Sequence, residues 1–351
     1  MLALRMHGPS DARLDDIPEP QAGPGTVKVR IACAGICGSD LSLYEHPAVP
    51  IDFVHPLIGE AGPHVLGHEM SGHVAEVGEG VEGIAVGDLV AVFPMVDDDV
   101  CPACGRGETN LCDQGGFLGV MGGGGAFSEY IVAPARNIFV LPEGFTADTG
   151  ALVEPLAVAY HAVEQSRIPA GGTAFVVGAG PIGLGLLLCL KAMGAGRVVV
   201  SEPSAGRREL AASFGADVID PGEKDPVAYL LERNGGRGAD ASFDSAGMGD
   251  STFGPAYQAL RKGGTTVVVA MYHGPVSSNP AELMLTEKVC TGSYAYTRKD
   301  FAAVIDAIAD GRLAPMSLVT NHIQLADVLD GGIKTLLGEG RNTEVKILVT
   351  P

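Results

Sequence analysis

Apolar residues follow two different rhythms along this chain, and the change comes near Glu154. Before it, short β-branched or apolar runs at 27–32, 73–77, 89–93, 127–132 and 138–141 are each closed by turn residues, as at Gly78-Glu79-Gly80 and Pro142-Glu143-Gly144. Such runs suit a pleated, half-buried surface, and the glycines, prolines and acidic residues between them break it. This predicts an all-β, barrel-like domain with long loops. After Glu154, strand-like runs at 174–177, 197–201, 218–220, 241–244 and 265–270 alternate with helical segments at 181–193, 206–214, 227–233 and 253–261. That alternation predicts an α/β fold, a doubly wound parallel sheet with helices on both faces. A further helix is expected at 301–309, and the last apolar run, 345–350, reads as a strand that returns to the first domain. The expected division is 1–153 for the β domain, 154–297 for the α/β domain and 298–351 for the return.

Charge narrows the partners. The chain sets 23 Lys+Arg against 42 Asp+Glu, a net charge of −19 in 351 residues, with a pI near 4.7. Such a surface repels phosphate backbones and anionic lipid, so neither nucleic acid nor a membrane is an expected partner. Residues 1–7 carry no long apolar run and no cleavage pattern. The longest apolar stretch, 182–190, ends at Lys191, short of the ~20 residues that span a bilayer. Seven cysteines in such a chain point to thiols or metal ligands, not disulfides. A soluble, cytoplasmic protein is expected.

The α/β part opens on a phosphate-binding signature, Gly178-Ala179-Gly180-Pro181-Ile182-Gly183, placed directly after a strand and at the start of a helix. Gly178 permits the tight turn, Gly180 lets backbone approach a pyrophosphate, and Gly183 lets helix and strand pack closely. Pro181 and Ile182 begin the helix, whose free N–H groups and positive dipole end favour phosphate. Glu202 follows Gly183 by 19 residues, where a carboxylate accepts hydrogen bonds from ribose hydroxyls and repels a 2′-phosphate. NAD is therefore expected over NADP, although Arg207 and Arg208 stand close enough to serve a 2′-phosphate.

A second set of residues carries donor chemistry: Cys37 in Gly35-Ile36-Cys37-Gly38-Ser39-Asp40, His68 and Glu69 in Gly67-His68-Glu69, and Glu154 in Glu154-Pro155-Leu156. One thiolate, one imidazole and carboxylates suit Zn²⁺, although their spacing alone does not make a site. Cys101, Cys104 and Cys112, spaced x₂ and x₇, form a separate and stronger metal signal. Cys33, Cys189 and Cys290 lie in apolar surroundings and read as core thiols.

Taken together with Gly72, Gly78, Val86-Gly87-Asp88 and Glu154-Pro155-Leu156-Ala157-Val158, these segments resemble the zinc-dependent medium-chain alcohol dehydrogenases nearly from end to end. Asn110-Leu111-Cys112, Gly116-Phe117-Leu118-Gly119, Ser201-Glu202-Pro203-Ser204, Asn279-Pro280 and Thr291-Gly292-Ser293 are similar to the butanediol and sorbitol dehydrogenase group of that family. The resemblance implies a GroES-like catalytic domain and a Rossmann domain, with zinc and nicotinamide in the cleft between them. It implies that Cys37 and His68 bind the catalytic zinc, that Glu69 and Glu154 ligate it or its water, and that Ser39 starts the proton relay. The family's structural zinc lobe is expected at Cys101, Cys104 and Cys112, with Asp98 where relatives carry a fourth cysteine. Relatives commonly place a histidine where this chain has Ser42; either Ser42 hands the proton to water or the outer path differs, or Ser42 only caps the local turn. His46, His55 and His64 lie between Cys37 and His68, within reach of a substrate cleft. The implied activity is hydride transfer between NAD and a vicinal diol or secondary alcohol; a polyol or L-threonine dehydrogenase is the alternative. A homodimer or homotetramer acting on a small molecule is expected. A non-catalytic relative would have lost a donor, and a zinc-free quinone reductase would lack Cys37, Glu69 and the cysteine lobe.

Overall fold

The computed structural model describes residues 1–351, which divide into two units: Met1–Pro155 with Thr297–Ala309 and Pro315–Pro351, and Leu156–Tyr296 with Asp310–Ala314.

In the first unit, strand Thr26–Gly35 is the organising element. It pairs antiparallel with Glu69–Val77 along most of its length, with Tyr130–Pro134 at its first half, and with Lys346–Thr350 at its last two residues. The full order is Ile138–Val140, Leu89–Val92, Glu69–Val77, Thr26–Gly35, Lys346–Thr350 and Val319–Gln324, hydrogen-bonded as an open path. A three-stranded sheet of Asp11–Asp16, Leu2–Gly8 and His64–Val65 packs with it. Leu4, Val29, Met70, Val90, Phe127, Ile131, Ile347 and Val349 fill the core between them and are almost wholly buried; each such side chain contributes about 1.5–3 kcal/mol. The C-terminal strand Lys346–Thr350 belongs to this unit.

Two local expectations shift. The strand expected at 127–132 begins only at Tyr130. The backbone before it serves the N-terminal strand instead: Leu4 N–H donates to Phe127 O at 2.8 Å, and Ala3 bridges Ser128. The helix expected at 253–261 is Asp250–Gln258, and Leu260 already belongs to strand Leu260–Val268 because it pairs with Ala239.

In the second unit all six strands run parallel, in the order Asp217–Ile219, Arg197–Ser201, Thr173–Val177, Ala239–Asp244, Leu260–Val268, Val289–Gly292. Numbered along the chain this is 3-2-1-4-5-6, the doubly wound order whose reversal lies between Thr173–Val177 and Ala239–Asp244. The middle strands Thr173–Val177 and Ala239–Asp244 are buried on both faces; the first reads as an almost continuous apolar run for that reason, while the second carries Asp240, Ser242 and Asp244 among its apolar residues.

Candidate active site

The first unit gathers Cys37, Ser39, Asp40 and His68. Strand Thr26–Gly35 delivers Cys37 to the start of helix Gly38–Glu45, and the Cys37 N–H donates to Asp40 Oδ2 at 2.9 Å. This is a helix-capping contact, and it fixes Asp40 at zero exposure. The other carboxylate oxygen faces His68 Nδ1 at 3.5 Å, while Ser39 Oγ lies 3.3 Å from His68 Nε2. Phe117 packs edge-on against the imidazole, with ring centroids 5.4 Å apart. Burial pulls the imidazole towards its neutral form, but the Asp40 carboxylate and the Cys37 thiol outweigh it and hold His68 well above its ordinary value. A carboxylate facing one ring nitrogen favours an orientation in which the other nitrogen points away from it, the arrangement a metal-binding imidazole uses.

Glu69 is held differently. Lys346, on the returning strand, donates to both of its carboxylate oxygens at 2.6 and 2.7 Å and to Ile36 O at 3.0 Å. Neither residue is more than 2% exposed. Burial alone would lower the Lys346 ammonium, yet the charges of Glu69, Cys37 and Glu154 raise it. Glu154 opens helix Val153–Ser166 and is itself buried. Opposite Glu69 in register stands Gly35, where a side chain would overlap the Glu69 carboxylate. The Cys37 thiol and two carboxylates thus lie under the field of one ammonium, and the His68 imidazole stands beside the same thiol; thiolate, imidazole and carboxylate are donor types that fit zinc. Glu69 is thus held by Lys346, and any metal it ligated would share its oxygens with that ammonium.

Asp98, Cys101, Cys104 and Cys112 form a second cluster, their ligand atoms all within 4.8 Å of one another. The Cys101 and Val100 N–H groups each donate to Asp98 Oδ1 at 3.0 Å and hold its carboxyl below the usual range. Burial, together with Cys101, Cys112 and Asp98, pushes the Cys104 thiol up to about 12. Four incipient anions this close cannot all ionise unless a cation joins them, and that is the condition of a structural zinc site. The neighbouring Asp97 does not join them. It is buried and pairs with Arg298 at 2.7 Å and Arg136 at 3.6 Å.

The second unit places its cradle at the sheet's reversal point. A cavity of about 750 Å³ is lined by Gly178, Gly180, Glu202, Arg207, Ser245 and Thr252, among others. Gly178 takes φ +94°, which favours glycine, and a side chain at Gly183 would overlap Gly178 O. A Cβ at Gly180 would meet no protein atom within 4 Å, as suits backbone that a pyrophosphate approaches. Pro181 and Ile182 form the first turn of helix Pro181–Ala192. Glu202 accepts from Ala179 N–H at 2.7 Å and Ser204 N–H at 2.8 Å, so it braces the glycine loop as well as facing the cavity. Arg208 is drawn off to Asp220, 2.8 Å away, and to backbone carbonyls; Arg207 is the arginine that lines the cavity.

Asp40 and Lys346 are site residues that sequence reasoning missed. Asp40 had a signal, its place three residues into a helix that Cys37 caps. Lys346 had none, because it meets Glu69 only through strand pairing across 277 residues. Ser42 is exposed on its helix. Of the other histidines in this stretch, His46 is exposed, His55 is buried and bonds Gly115 O at 3.1 Å, and His64 is buried. Cys33 and Cys189 are buried as expected, but Cys290 is exposed on the edge strand Val289–Gly292, whose outer side no further strand of this chain covers.

Residues 23–143 match the alcohol dehydrogenase GroES-like domain, and residues 181–310 match the zinc-binding dehydrogenase domain. The chain is 40% identical to a (R,R)-butanediol dehydrogenase of Bacillus subtilis (strain 168), covering all of both chains. It is 36% identical to the (R,R)-butanediol dehydrogenase of Saccharomyces cerevisiae over 96% of this chain and 94% of that one. The crystal structure of 2R,3R-butanediol dehydrogenase from Bacillus subtilis superposes with a TM-score of 0.93 at 39% identity, covering 100% of this chain and 99% of that one. Full-length likeness at this identity, and a fold that supplies both a zinc-suited donor set and a dinucleotide cradle, make the chain a member of the zinc-binding alcohol dehydrogenase family.

Proposed function

We propose that this enzyme interconverts a vicinal diol, of the 2,3-butanediol type, with its hydroxyketone, using zinc and NAD. The observation that carries the reading is the contact set Cys37–Ser39–Asp40–His68, built in a chain that resembles butanediol dehydrogenases throughout. We assign Cys37, His68 and Glu154 as zinc ligands, with Glu69 as a carboxylate that Lys346 keeps in reserve, and Asp98, Cys101, Cys104 and Cys112 as ligands of a structural zinc. When bound, zinc supplies Lewis acidity that favours the alkoxide, and the nicotinamide takes the hydride. The chain's own part is to move the proton and hold the geometry. Ser39 Oγ accepts the alcohol's proton and passes it outward, while Asp40 keeps the His68 ring from turning. Gly178, Gly180, Pro181, Ile182, Gly183, Glu202 and Arg207 bind the dinucleotide, and Glu202 beside the ribose site favours NAD over NADP. Seven cysteines outside any disulfide, four of them assigned above to zinc, fit a reducing compartment, the cytoplasm. No helix is long and apolar enough to cross a membrane.

A steady-state screen of 2,3-butanediol, sorbitol and L-threonine with NAD and NADP tests the reading. Butanediol with NAD should give the highest kcat/KM. A clear preference for sorbitol or threonine would hand the site to the polyol or threonine reading. In the same assay Ser39→Ala should lower kcat by about 10²–10⁴-fold, and near-normal turnover would remove Ser39 from the proton path.

A further inference from the structure

The first unit contains a cavity of about 480 Å³ that the assignments above leave unused. Its walls are largely apolar, with Met6, Leu43, Val49, Ile51, Leu66 and Val120 among them. Two histidines also line it, and they differ. His7 is partly exposed and bonds Asp15 at 2.8 Å. His64 is 6% exposed, and neither of its ring nitrogens makes a hydrogen bond. Strand pairing puts His64 opposite Met6, so the two side chains share the face that borders the cavity. Beside Nδ1 stands Gly122, and a side chain at that position would crowd the ring, with its Cβ 3.2 Å from Nδ1.

Buried polar groups are almost always satisfied. A neutral imidazole offers one donor and one acceptor, and burial keeps His64 below its ordinary value, in that neutral form. Neither nitrogen has a hydrogen-bond partner in the protein, and the ring lines the cavity, so a molecule held there can supply one. Three of its walls run back to the candidate active site within four residues. Leu43 is one helical turn after Ser39, on the same face of helix Gly38–Glu45. Leu66 is two residues before His68. Val120 donates its N–H to Phe117 O at 3.2 Å, and Phe117 packs on the His68 ring.

We propose that this cavity receives the part of the substrate beyond the reacting carbon, and that His64 determines specificity by hydrogen-bonding a second hydroxyl or carbonyl oxygen there. The substrate class is then narrower than secondary alcohols at large: diols and hydroxyketones, with room in the cavity for an apolar chain longer than the four carbons of butanediol. The proposal rests on the diol dehydrogenase reading above and adds the group that recognises the distal oxygen. A pocket built to satisfy an oxygen penalises the analogue that lacks it, because the buried imidazole is then left unpaired.

Matched substrates test it: 2,5-hexanediol against 2-hexanol, and 2,3-butanediol against 2-butanol, with wild-type enzyme, His64→Leu, His64→Gln and Val49→Trp. In the wild type, kcat/KM for 2,5-hexanediol should exceed that for 2-hexanol by about tenfold or more. His64→Leu should bring that ratio to within about twofold, and His64→Gln, which keeps a donor and an acceptor, should retain most of it. Val49→Trp, which fills the cavity from its rim, should lower kcat/KM for 2-hexanol relative to 2-butanol by about tenfold. An unchanged diol-to-alcohol ratio in His64→Leu overturns the proposal. So does a wild type without preference for the second oxygen, a result that leaves the dehydrogenase reading standing. Should His64→Leu fail to fold, an unchanged chain-length ratio in Val49→Trp overturns it on its own. A wild type that oxidises none of the four alcohols sinks the underlying reading, and the proposal with it.

Discussion

Lys346 is the residue that ties the candidate centre together. Its ammonium satisfies both oxygens of Glu69 in a site where neither is solvated. Breaking a buried ion pair by deleting one partner typically costs about 3–5 kcal/mol, because the other charge stays buried. Lys346→Met should therefore lower the urea midpoint by an amount worth about 3 kcal/mol or more, and Lys346→Arg should recover most of it. A loss under about 1 kcal/mol would mean that Glu69 finds another partner. A second residue sets a pH effect in the other unit. Burial alone would raise the Asp240 carboxyl, but Arg261 at 2.6 Å and the Thr173 N–H at 2.8 Å hold it below the usual carboxylate range. A folded value below the unfolded one means that its stabilisation is complete above about pH 4 and is lost as pH falls through the folded value. Asp240→Asn should cost about 1–2 kcal/mol at pH 7, and the gap from wild type should shrink as unfolding is measured at pH 5, 4 and 3. A gap that stays constant down to pH 3 would separate Asp240 from the linkage.

At the scale of elements, the lobe from Asp98 to Cys112 has almost no core of its own. Its apolar cluster consists of Cys101, Ala103 and Cys104, with Cys112 against it, and its helix, Pro102–Gly105, is a single turn. Metal binding to such a loop is in large part its folding free energy. Metal analysis should find a second zinc beyond the catalytic one. Asp98→Ala should lose it and lower Tm by several degrees, while kcat stays within about twofold. A variant that keeps both metals, or one that loses activity and not stability, would contradict a structural role. The strand arrangement sets its own limits. Gly35 and Glu69 face each other across Thr26–Gly35 and Glu69–Val77, so the carboxylate occupies space that any side chain at position 35 would need.

At the scale of the molecule, the second unit leaves one edge of its sheet open. Strand Val289–Gly292 ends the sheet, with Val289 49% exposed, and the preceding helix Pro280–Thr286 exposes Met284 at 68% and Leu285 at 71%. A sheet edge flanked by bare apolar residues invites pairing with another strand. With a net charge of −19 opposing indiscriminate association, we expect a homodimer joined along this edge. Sedimentation should report a dimer for the wild type, and a Val289→Lys, Leu285→Glu double variant should shift it towards monomer. A monomeric wild type would retire the idea.

Features that depend on near neighbours are legible in the amino-acid order. Alternation of strand and helix after Glu154 marked the doubly wound sheet because a βαβ unit is local, and Gly178, Gly180 and Gly183 with Glu202 marked its cradle because all sit within one such unit. The cysteine spacing of Cys101, Cys104 and Cys112 marked the lobe for the same reason: a single loop closes it. The N-terminal hairpin, Leu2–Gly8 with Asp11–Asp16, is not legible in its mixed polar runs, and its first strand gains further partners only from distant backbone at His64–Val65 and Phe127. Only the tertiary structure decided how Glu69 is restrained, because Lys346 arrives from the far end of the chain on a strand whose partner is set by packing. It alone decided that Arg208 is consumed by Asp220 while Arg207 faces the cavity, and that His64 is left in an apolar wall with both nitrogens unsatisfied. Which polar group is buried, and beside what, is a property of the folded surface, and no local spacing encodes it.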